Sequence, residues 1–395
     1  MGNRFYGLAM ADDLIALNLP IGLFRFTIEP QEALQVPAVN KGNMLRGGFG
    51  HAFRRLCCIP QCRDTKSCPL AASCPYKAVF EPSPPPGSER LSKNQDIPRP
   101  FVFRAPLTQQ TRFERGQRFE FGLVLIGRAL DFLPYFVLSF RELASEGLGL
   151  NRARCTLEQV QQTGVSSNDA SHPAPDVAPP LTSALAVLPP ASQPASAAEA
   201  TPHPFVGARS PRPKGIAQPF TAAGSPHVVY TSADKLFRAP ASVGSQGWIS
   251  ARLQELRDSN GRGPTQRITI RFLTPTFLRA DGEVIRRPEF HHVFKRLRDR
   301  INALSTFFGE GPMEEDFRGL GERAERVRTV SAQTDWVERF RTSSKTRQRH
   351  ELSGFVGEAT YGGEVSEFLP WLTVGEFVHV GKHTAWGNGH YQVHG

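Results

Sequence analysis

The spacing of apolar and polar residues predicts four strands and two helices in the N-terminal part of the chain. Apolar residues alternate with polar ones in the strands, as at Phe24, Phe26 and Ile28, and recur every three or four positions in the helices. The predicted strands are residues 20–28, Phe101–Phe103, Arg118–Ile126 and Arg152–Gln161, and the helices are Met44–Leu56 and Leu130–Leu143. The order is β-α-β-β-α-β, which is typical of a ferredoxin-like domain.

The C-terminal part predicts a second unit of the same kind. Its strongest signal is a helix from about Pro288 to Phe308, whose apolar residues recur at spacings of three and four and which Gly309 ends. Strands are predicted at Arg267–Phe272, Arg326–Phe340, Gly354–Tyr361 and Gly375–Val380. A loop rich in Gly, Lys and His follows the last of these strands.

The composition changes between the two units. Over residues 163–227, Pro, Ala and Ser dominate and aromatic residues nearly vanish. Such a segment buries too little apolar surface to offset its conformational entropy, so we expect a disordered insertion. The sequence thus predicts an α+β protein with two tandem ferredoxin-like domains, residues 1–162 and 228–395, on either side of this linker.

The chain of 395 residues is basic, with 47 Lys and Arg against 37 Asp and Glu and a formal net charge of +10. This balance favours a polyanionic partner such as nucleic acid, and a merely basic protein is the alternative. No apolar run reaches the roughly 18 residues of a membrane-spanning helix, and the N-terminus lacks a signal-peptide core. We therefore expect a cytoplasmic protein with reduced cysteines and no membrane partner.

Five of the six cysteines lie in the loop 57–80. Four of them, Cys58, Cys62, Cys68 and Cys74, could bind a structural zinc ion or an iron–sulfur cluster. Their spacing does not match the common C-x-x-C zinc pair, and a set of small buried apolar residues is the alternative. A metal in this loop would hold the loop together rather than take part in a reaction.

Two basic stretches near the C-terminus are candidates for binding phosphate. The run 339–350 contains five cations, one histidine and no acid, and a solvated charged loop is the alternative for it. In the glycine-rich loop, the absence of a Cβ lets backbone and cations approach a phosphate closely. The candidate residues of the two stretches are Lys345, Arg347, Arg349, Gly381, Lys382, His383, Gly387 and Gly389.

Histidines are the candidate groups for acid–base chemistry, because their pKa lies near neutral pH. His51 lies on the first predicted helix, with Arg54 and Arg55 three and four positions later, and a surface histidine is the alternative. No carboxylate set with a two-metal spacing stands out. A route without metal ions is open, in which a base takes the proton of a ribose 2′-hydroxyl and an acid protonates the leaving 5′-oxygen.

The chain resembles the RAMP-type endoribonucleases that cut CRISPR precursor RNA, the Cas6-type family. The N-terminal resemblance lies in Met44–Leu56, which matches the family's first helix, and in the segments Cys68–Pro69–Leu70 and Cys74–Pro75–Tyr76 that follow. The stronger resemblance runs from Gly354–Phe355–Val356–Gly357–Glu358 to Gly389–His390–Tyr391 and includes the glycine-rich loop.

The resemblance implies two tandem ferredoxin-like domains and a metal-independent cleavage of CRISPR repeat RNA that leaves a 2′,3′-cyclic phosphate and a 5′-hydroxyl. In that family the catalytic residues vary and often include a histidine near the first helix, which here is His51. Our alternative for the catalytic role is His383, and Arg46, Arg54 and Arg55 are further candidates for contact with RNA. No cofactor is then required for catalysis, and other CRISPR effector subunits are possible partners. An inactive subunit that holds guide RNA in an effector complex is the alternative function.

Overall fold

The computed structural model describes residues 19–59, 62, 65, 67–83, 97–163, 227–240, 245–259, 265–342 and 349–395. Residues 164–226, which carry nearly all of the predicted disordered insertion, lie outside this range. None of the helices in the described ranges is long and apolar enough to cross a membrane.

The first sheet has the strand order of a ferredoxin-like domain. Its five antiparallel strands lie in the order Phe101–Arg104, Phe119–Ile126, Ile21–Pro30, Cys155–Thr163 and His227–Thr231, so the first and third strands of the predicted pattern are central neighbours. The predicted strands and helices are confirmed. The elements of this half are β1 Ile21–Pro30, β2 Leu34–Gln35, α1 Lys41–Cys57, α2 Pro75–Phe80, β3 Phe101–Arg104, β4 Arg112–Phe113, β5 Phe119–Ile126, α3 Leu133–Glu146, β6 Cys155–Thr163 and β7 His227–Thr231.

Aromatic packing holds α1 and α3 against one face of this sheet. Phe49 of α1 stacks on Phe136 and Phe140 of α3, with ring centroids 5.0 Å apart in both pairs. Phe26 of β1 lies 5.2 Å from Phe140, also between ring centroids. Each ring is buried, and burial of a Phe side chain contributes about 1.5–3 kcal/mol. The helix periodicity read from the sequence is therefore the periodicity of this core.

The strand β7 belongs to the first sheet. His227–Thr231 pairs antiparallel with β6 at the sheet edge, and Tyr230 lies opposite Val160. The sequence places Tyr230 at the start of the second unit instead. The difference arises because the local pattern of a strand does not indicate which sheet it joins.

The second half repeats the arrangement. Its main sheet has the antiparallel order Arg328–Val337, Gly354–Gly362, Arg267–Thr276 and Tyr391–His394. The long helix Phe290–Phe308 packs its apolar face on that sheet as predicted. The elements are α4 Ser245–Ser259, β8 Arg267–Thr276, β9 Leu278–Ala280, β10 Glu283–Ile285, α5 Phe290–Phe308, α6 Phe317–Ala324, β11 Arg328–Val337, β12 Phe340–Thr342, β13 Arg349–Glu351, β14 Gly354–Gly362, α7 Leu369–Val378 and β15 Tyr391–His394.

The predicted strand Gly375–Val380 is wrong, because most of it is the end of helix α7. Every residue of α7 is buried, so the helix lacks the polar face that would show helical periodicity. A short run that is buried on all sides cannot be distinguished from a buried strand by its pattern alone. Pro370 lies in the first turn of α7, where a proline is tolerated.

One hydrophobic cluster joins the two halves. The second face of the first sheet supplies Ile21, Leu23, Val102 and Val124, which belong to the same buried cluster as the core of the second half. The first sheet is thus covered by α1 and α3 on one face and by the second half on the other. This packing brings the start of α1 and the end of β3 next to the glycine-rich loop.

Candidate nucleic-acid interface

A cleft lies where the start of α1, the end of β3 and the glycine-rich loop meet. It is lined by residues 38–42 and 104–109 of the first half and by 273–275, Arg339, Val356, His379, 386–388 and His390 of the second. The lining includes Lys41, Arg104 and Arg339, and none of these described lining residues is an Asp or a Glu. The cleft is therefore a place of positive potential, suited to an anion.

Lys41 is the first residue of α1 and is buried in the cleft wall. Its Nζ donates hydrogen bonds to the carbonyls of Ala38, at 3.1 Å, and Thr108, at 2.7 Å. An ammonium group has three N–H donors, so one is left for a ligand. Burial lowers the pKa of Lys41 from 10.5 to about 8, which leaves the group mainly charged at neutral pH.

Asn40 connects the start of α1 to the second half. It adopts a left-handed conformation (φ 59°) before the helix, and its Oδ1 accepts a hydrogen bond of 2.9 Å from Nη1 of Arg339. Burial lowers the pKa of Arg339 to about 10. The bond fixes a guanidinium at the opening of the cleft without neutralising it, because the asparagine carries no charge.

Arg104, the last residue of β3, reaches into the second half. Its Nη2 donates to the carbonyl of Glu376 at 2.6 Å and lies 3.0 Å from Nε2 of His390. Since a guanidinium only donates, His390 accepts with Nε2 and carries its proton on Nδ1. Burial, and then the charge of Arg104, holds the pKa of His390 well below its usual range. His390 is therefore neutral and positions Arg104.

His379 lies directly after α7, with φ 63° and ψ 173°, a conformation that costs a non-glycine residue on the order of 1–3 kcal/mol. Its ring is buried and stacks on His390, with centroids 4.7 Å apart and planes 3° from parallel. Nδ1 lies 3.1 Å from the carbonyl of Asn388. Burial, and next the charge of Arg104, holds its pKa well below the usual range, so both buried histidines are neutral.

The glycines of the loop are required by close packing. Gly387 has φ 88°, and a Cβ at this position would lie 2.5 Å from the carbonyl oxygen of Phe103. Gly389 (φ 73°) has no room for a Cβ beside the Val380 carbonyl. The backbone amides of three loop residues donate hydrogen bonds to carbonyls of the chain itself, and they belong to Lys382, Gly387 and Gly389. These amides therefore stabilise the loop within the fold.

The ring of Trp386 lies close to two predicted RNA-binding residues, Arg46 and His383, and to Arg341 of the basic run. The guanidinium carbons of Arg341 and Arg46 lie 4.9 and 5.6 Å from its ring centroids, and the His383 ring lies 5.4 Å from it. Arg46 also lies 4.5 Å from the Phe80 ring, and burial lowers its pKa to about 10. Arg46 and His383 are thus close to the cleft, whereas Lys382 is exposed at the surface beside it.

His51 and its neighbours lie farther along α1. His51 is exposed, Arg54 lies 5.9 Å from the Tyr76 ring on the α2 side, and Arg55 forms an ion pair of 2.6 Å with Glu146 of α3. Arg54 and Arg55 follow His51 by three and four positions, but the two arginines contact different helices. Arg55 is already paired with a carboxylate, which makes its charge less available to a phosphate.

The basic run 339–350 is only partly described. Lys345 and Arg347 lie outside the described residues. Arg349 is exposed on β13, and its guanidinium carbon lies 3.7 Å from the ring centroid of Phe340 on the paired strand β12. An arginine with an aromatic neighbour is a suitable element for contact with a nucleic acid strand.

The four predicted metal ligands lie together at the far end of α1. Cys58, Cys62, Cys68 and Cys74 line one cavity with Cys57, and all are free thiols. No three His, Cys, Asp or Glu side chains within the described ranges are arranged to hold a metal ion.

Two of the three cleft cations, Lys41 and Arg104, are absent from the sequence predictions. The third, Arg339, appears there only as part of the run 339–350. Lys41 precedes the first apolar position of the helix, and Arg104 ends an apolar strand. Neither position differs locally from an ordinary surface cation. Their role depends on contacts that join residues far apart in the chain.

Two family models match the chain. Residues 19–175 match a model described as an N-terminal domain, and residues 270–391 match the model of the CRISPR-associated endoribonuclease Cas6. No curated protein matches the chain.

Several solved structures are similar to the chain at low sequence identity. Cas6 of Thermus thermophilus is 13% identical, with a TM-score of 0.43 over 95% of this chain and 98% of that one. A Cas6 product complex is 15% identical, with a TM-score of 0.45 over 94% and 98%. A RAMP protein described as binding different RNA substrates is 9% identical, with a TM-score of 0.38 over 94% and 99%.

The match to the Cas6 model contains the glycine-rich loop, β8 and β14, which are the elements that form the second side of the cleft. The resemblance seen in the sequence is confirmed there: residues 270–391 match the model of the CRISPR-associated endoribonuclease Cas6.

Proposed function

We propose that this protein is an endoribonuclease that binds CRISPR repeat RNA and cuts it without a metal ion, leaving a 2′,3′-cyclic phosphate and a 5′-hydroxyl. The observation that carries the proposal is the cleft, which Lys41, Arg104 and Arg339 line without any carboxylate from a described residue. Because residues 270–391 match the Cas6 model, we propose that the anion bound in this cleft is CRISPR repeat RNA.

The cleft would hold a backbone phosphate of the RNA. Lys41 has one N–H beyond its two carbonyl bonds, and Arg339 is held at the cleft by a neutral asparagine. Charge-assisted hydrogen bonds from such groups to phosphate are stronger than neutral ones. Because these contacts reach only the backbone, they would position the RNA without reading its sequence.

The RNA would extend from the cleft along the exposed side of α1 to His51. A helix rises about 1.5 Å per residue, so the ten residues from Lys41 to His51 span about 15 Å. A strand of a few nucleotides covers this distance. Arg46 and Arg54 lie along α1 between or near these points and would contact the same strand.

In the proposed reaction, a base removes the proton of a ribose 2′-hydroxyl, and the resulting oxygen attacks the adjacent phosphorus. The bond from phosphorus to the 5′-oxygen breaks, and an acid gives that oxygen its proton. The products are a cyclic phosphate and a 5′-hydroxyl, so no water or metal ion enters the balance. His51 is the proposed acid or base, and His383 beside Trp386 is the alternative.

His379 and His390 do not serve this role in the proposal. Both are neutral, stacked and buried, and Nε2 of His390 is used by Arg104. They support the cleft instead.

A guide-holding subunit without activity is the second candidate function. It is favoured by one observation, that the histidine on α1 lies outside the cleft while the cleft's own histidines are committed to the fold. The phosphate-binding arrangement would serve both functions equally.

A single-turnover reaction with repeat RNA, with and without EDTA, distinguishes the two functions. We expect one cut with a 2′,3′-cyclic phosphate in both conditions. The matched control is the same RNA with a 2′-deoxy nucleotide at the cut position, which should bind equally and stay intact. Tight binding of the normal RNA without a cut would establish the second function, and dependence on a divalent ion would contradict the proposed mechanism.

A further inference from the structure

Five cysteines line a second cavity, far from the cleft, between the end of α1 and the start of α2. We call it the cysteine pocket, and its members are Cys57, Cys58, Cys62, Cys68 and Cys74. The cation-lined cleft does not include any of them. The proposed cleavage of RNA leaves this cluster without a role.

The pocket brings thiols into direct contact. The Cys62 thiol is hydrogen-bonded to the thiols of both Cys58 and Cys68. Cys74 stands near Cys57 and is the residue before the first turn of α2. Thiols that meet in this way, on a segment between two helices, are the donor set of a tetrahedral metal site.

Local turns hold the backbone of each cysteine. The amide of Cys58 donates to Arg54 at the end of α1, and that of Cys62 donates to Ile59, both at 2.9 Å. The carbonyls of Cys68 and Cys74 accept from Ala71 and Ala78, both at 3.0 Å. The backbone of each of these cysteines is thus held in place by a local hydrogen bond.

Cys57 differs from the other four. It packs against the hydrophobic core of the first half, together with Tyr76 and Met44. Its sulfur therefore has an apolar role, and four thiols remain for a ligand.

We propose that Cys58, Cys62, Cys68 and Cys74 bind one zinc ion that joins the end of α1 to the start of α2. Zinc binds four thiolates at about 2.3 Å, which places the sulfurs of one site in contact with each other. An iron–sulfur cluster, with several ions between its ligands, would hold the sulfurs farther apart. The four thiols do not yet converge on one point, so binding requires rotation about their Cα–Cβ bonds and release of their protons.

The zinc ion would fix α2, whose aromatic residues face α1. Tyr76 and Phe80 of α2 stack on each other, and Phe80 also packs on Phe49 and Phe53. Arg46 and Arg54 lie against Phe80 and Tyr76. The metal thus has a structural role in holding the side of α1 that carries these arginines.

The test is a cobalt(II) titration of the full chain in reducing buffer, because tetrahedral Co²⁺–thiolate complexes absorb visible light and zinc does not. We expect one equivalent of Co²⁺ to give the four-thiolate spectrum, one equivalent of Zn²⁺ to remove it, and one zinc per purified chain by elemental analysis. Absence of both zinc and a cobalt spectrum would overturn the proposal, as would the absorption of an iron–sulfur cluster.

Variants identify the ligands. Cys62→Ser should lose the four-thiolate spectrum, and Cys57→Ser is the matched control that should keep it. If Cys62→Ser fails to fold, alkylation of the wild-type chain replaces it, with mass spectrometry of each cysteine. Zinc should then protect Cys58, Cys62, Cys68 and Cys74 from alkylation, and unchanged alkylation of these four would contradict the site.

Discussion

Nη2 of Arg104, at the end of a strand in the first sheet, lies 3.0 Å from Nε2 of His390, directly before the last strand of the second sheet. The two residues are 286 positions apart in the chain. The same guanidinium donates to the carbonyl of Glu376. The cleft therefore exists only when both halves are folded and packed, and its positive charge is anchored by the interface between them.

Replacement of Arg104 should destabilise the packing between the two halves. Arg104→Met leaves the Glu376 carbonyl and Nε2 of His390 buried without their donor, and we expect a loss of about 1.5–3 kcal/mol in the free energy of unfolding. Urea unfolding followed by tryptophan fluorescence measures it. Arg112→Met is the control, because Arg112 is exposed and pairs with Glu114 at the surface. Equal urea midpoints for the two variants would contradict the anchoring role of Arg104.

Two glycine variants separate the effect of the close contact between the glycine-rich loop and β3 from the effect of the positive φ that glycine tolerates. Gly387→Ala adds a Cβ 2.5 Å from the carbonyl oxygen of Phe103 at φ 88°. Gly282→Ala adds one at φ 86° in open space. Both carry the penalty of a positive φ, on the order of 1 kcal/mol, and only the first adds a clash. We expect Gly387→Ala to lower the melting temperature more and to weaken RNA binding, whereas equal melting temperatures would show that the loop can move away.

The RNA affinity should depend on pH through Lys41. Its pKa is lowered to about 8 by burial, whereas Arg104 and Arg339 keep pKa values of about 10 and stay charged. As pH rises from 7 to 9, Lys41 loses its proton, and the affinity should fall by about tenfold, the equivalent of one charge-assisted hydrogen bond of about 1.5 kcal/mol. Binding measured at constant ionic strength should show this fall.

Two variants test whether deprotonation of Lys41 causes the fall in RNA affinity. Lys41→Arg keeps its charge over the range and should show a much flatter profile, and Lys41→Met should be weak at both ends. An identical profile in wild type and Lys41→Arg would assign the fall to another group.

The stability of the fold should change with pH in the opposite direction to the RNA affinity. Between pH 8 and 10.5 the unfolded chain binds the Lys41 proton and the folded chain does not, so the free energy of unfolding rises with pH.

The sequence predicts an element correctly where the alternation of buried and exposed residues is visible within that element. The helix Phe290–Phe308 has one buried face and one polar face, so its periodicity is visible in the chain. The strand prediction at Gly375–Val380 is wrong because all faces of helix α7, whose end covers most of this segment, are buried. Arg104 was missed for a different reason: its role arises from partners 272 and 286 positions away, which no local pattern records.

The role of His51 is the most direct test of the proposed reaction. If its imidazole transfers a proton, His51→Ala should slow single-turnover cleavage by about 10²-fold or more and leave the RNA affinity nearly unchanged, because a single exposed side chain contributes little to binding. His383→Ala is the comparison, since His383 lies against Trp386 beside the cleft. A loss of affinity without a change in rate would place His383 among the binding residues. If instead His383→Ala abolishes cleavage and His51→Ala does not, the proton transfer takes place at the glycine-rich loop, and the scissile phosphate lies in the cleft rather than along α1.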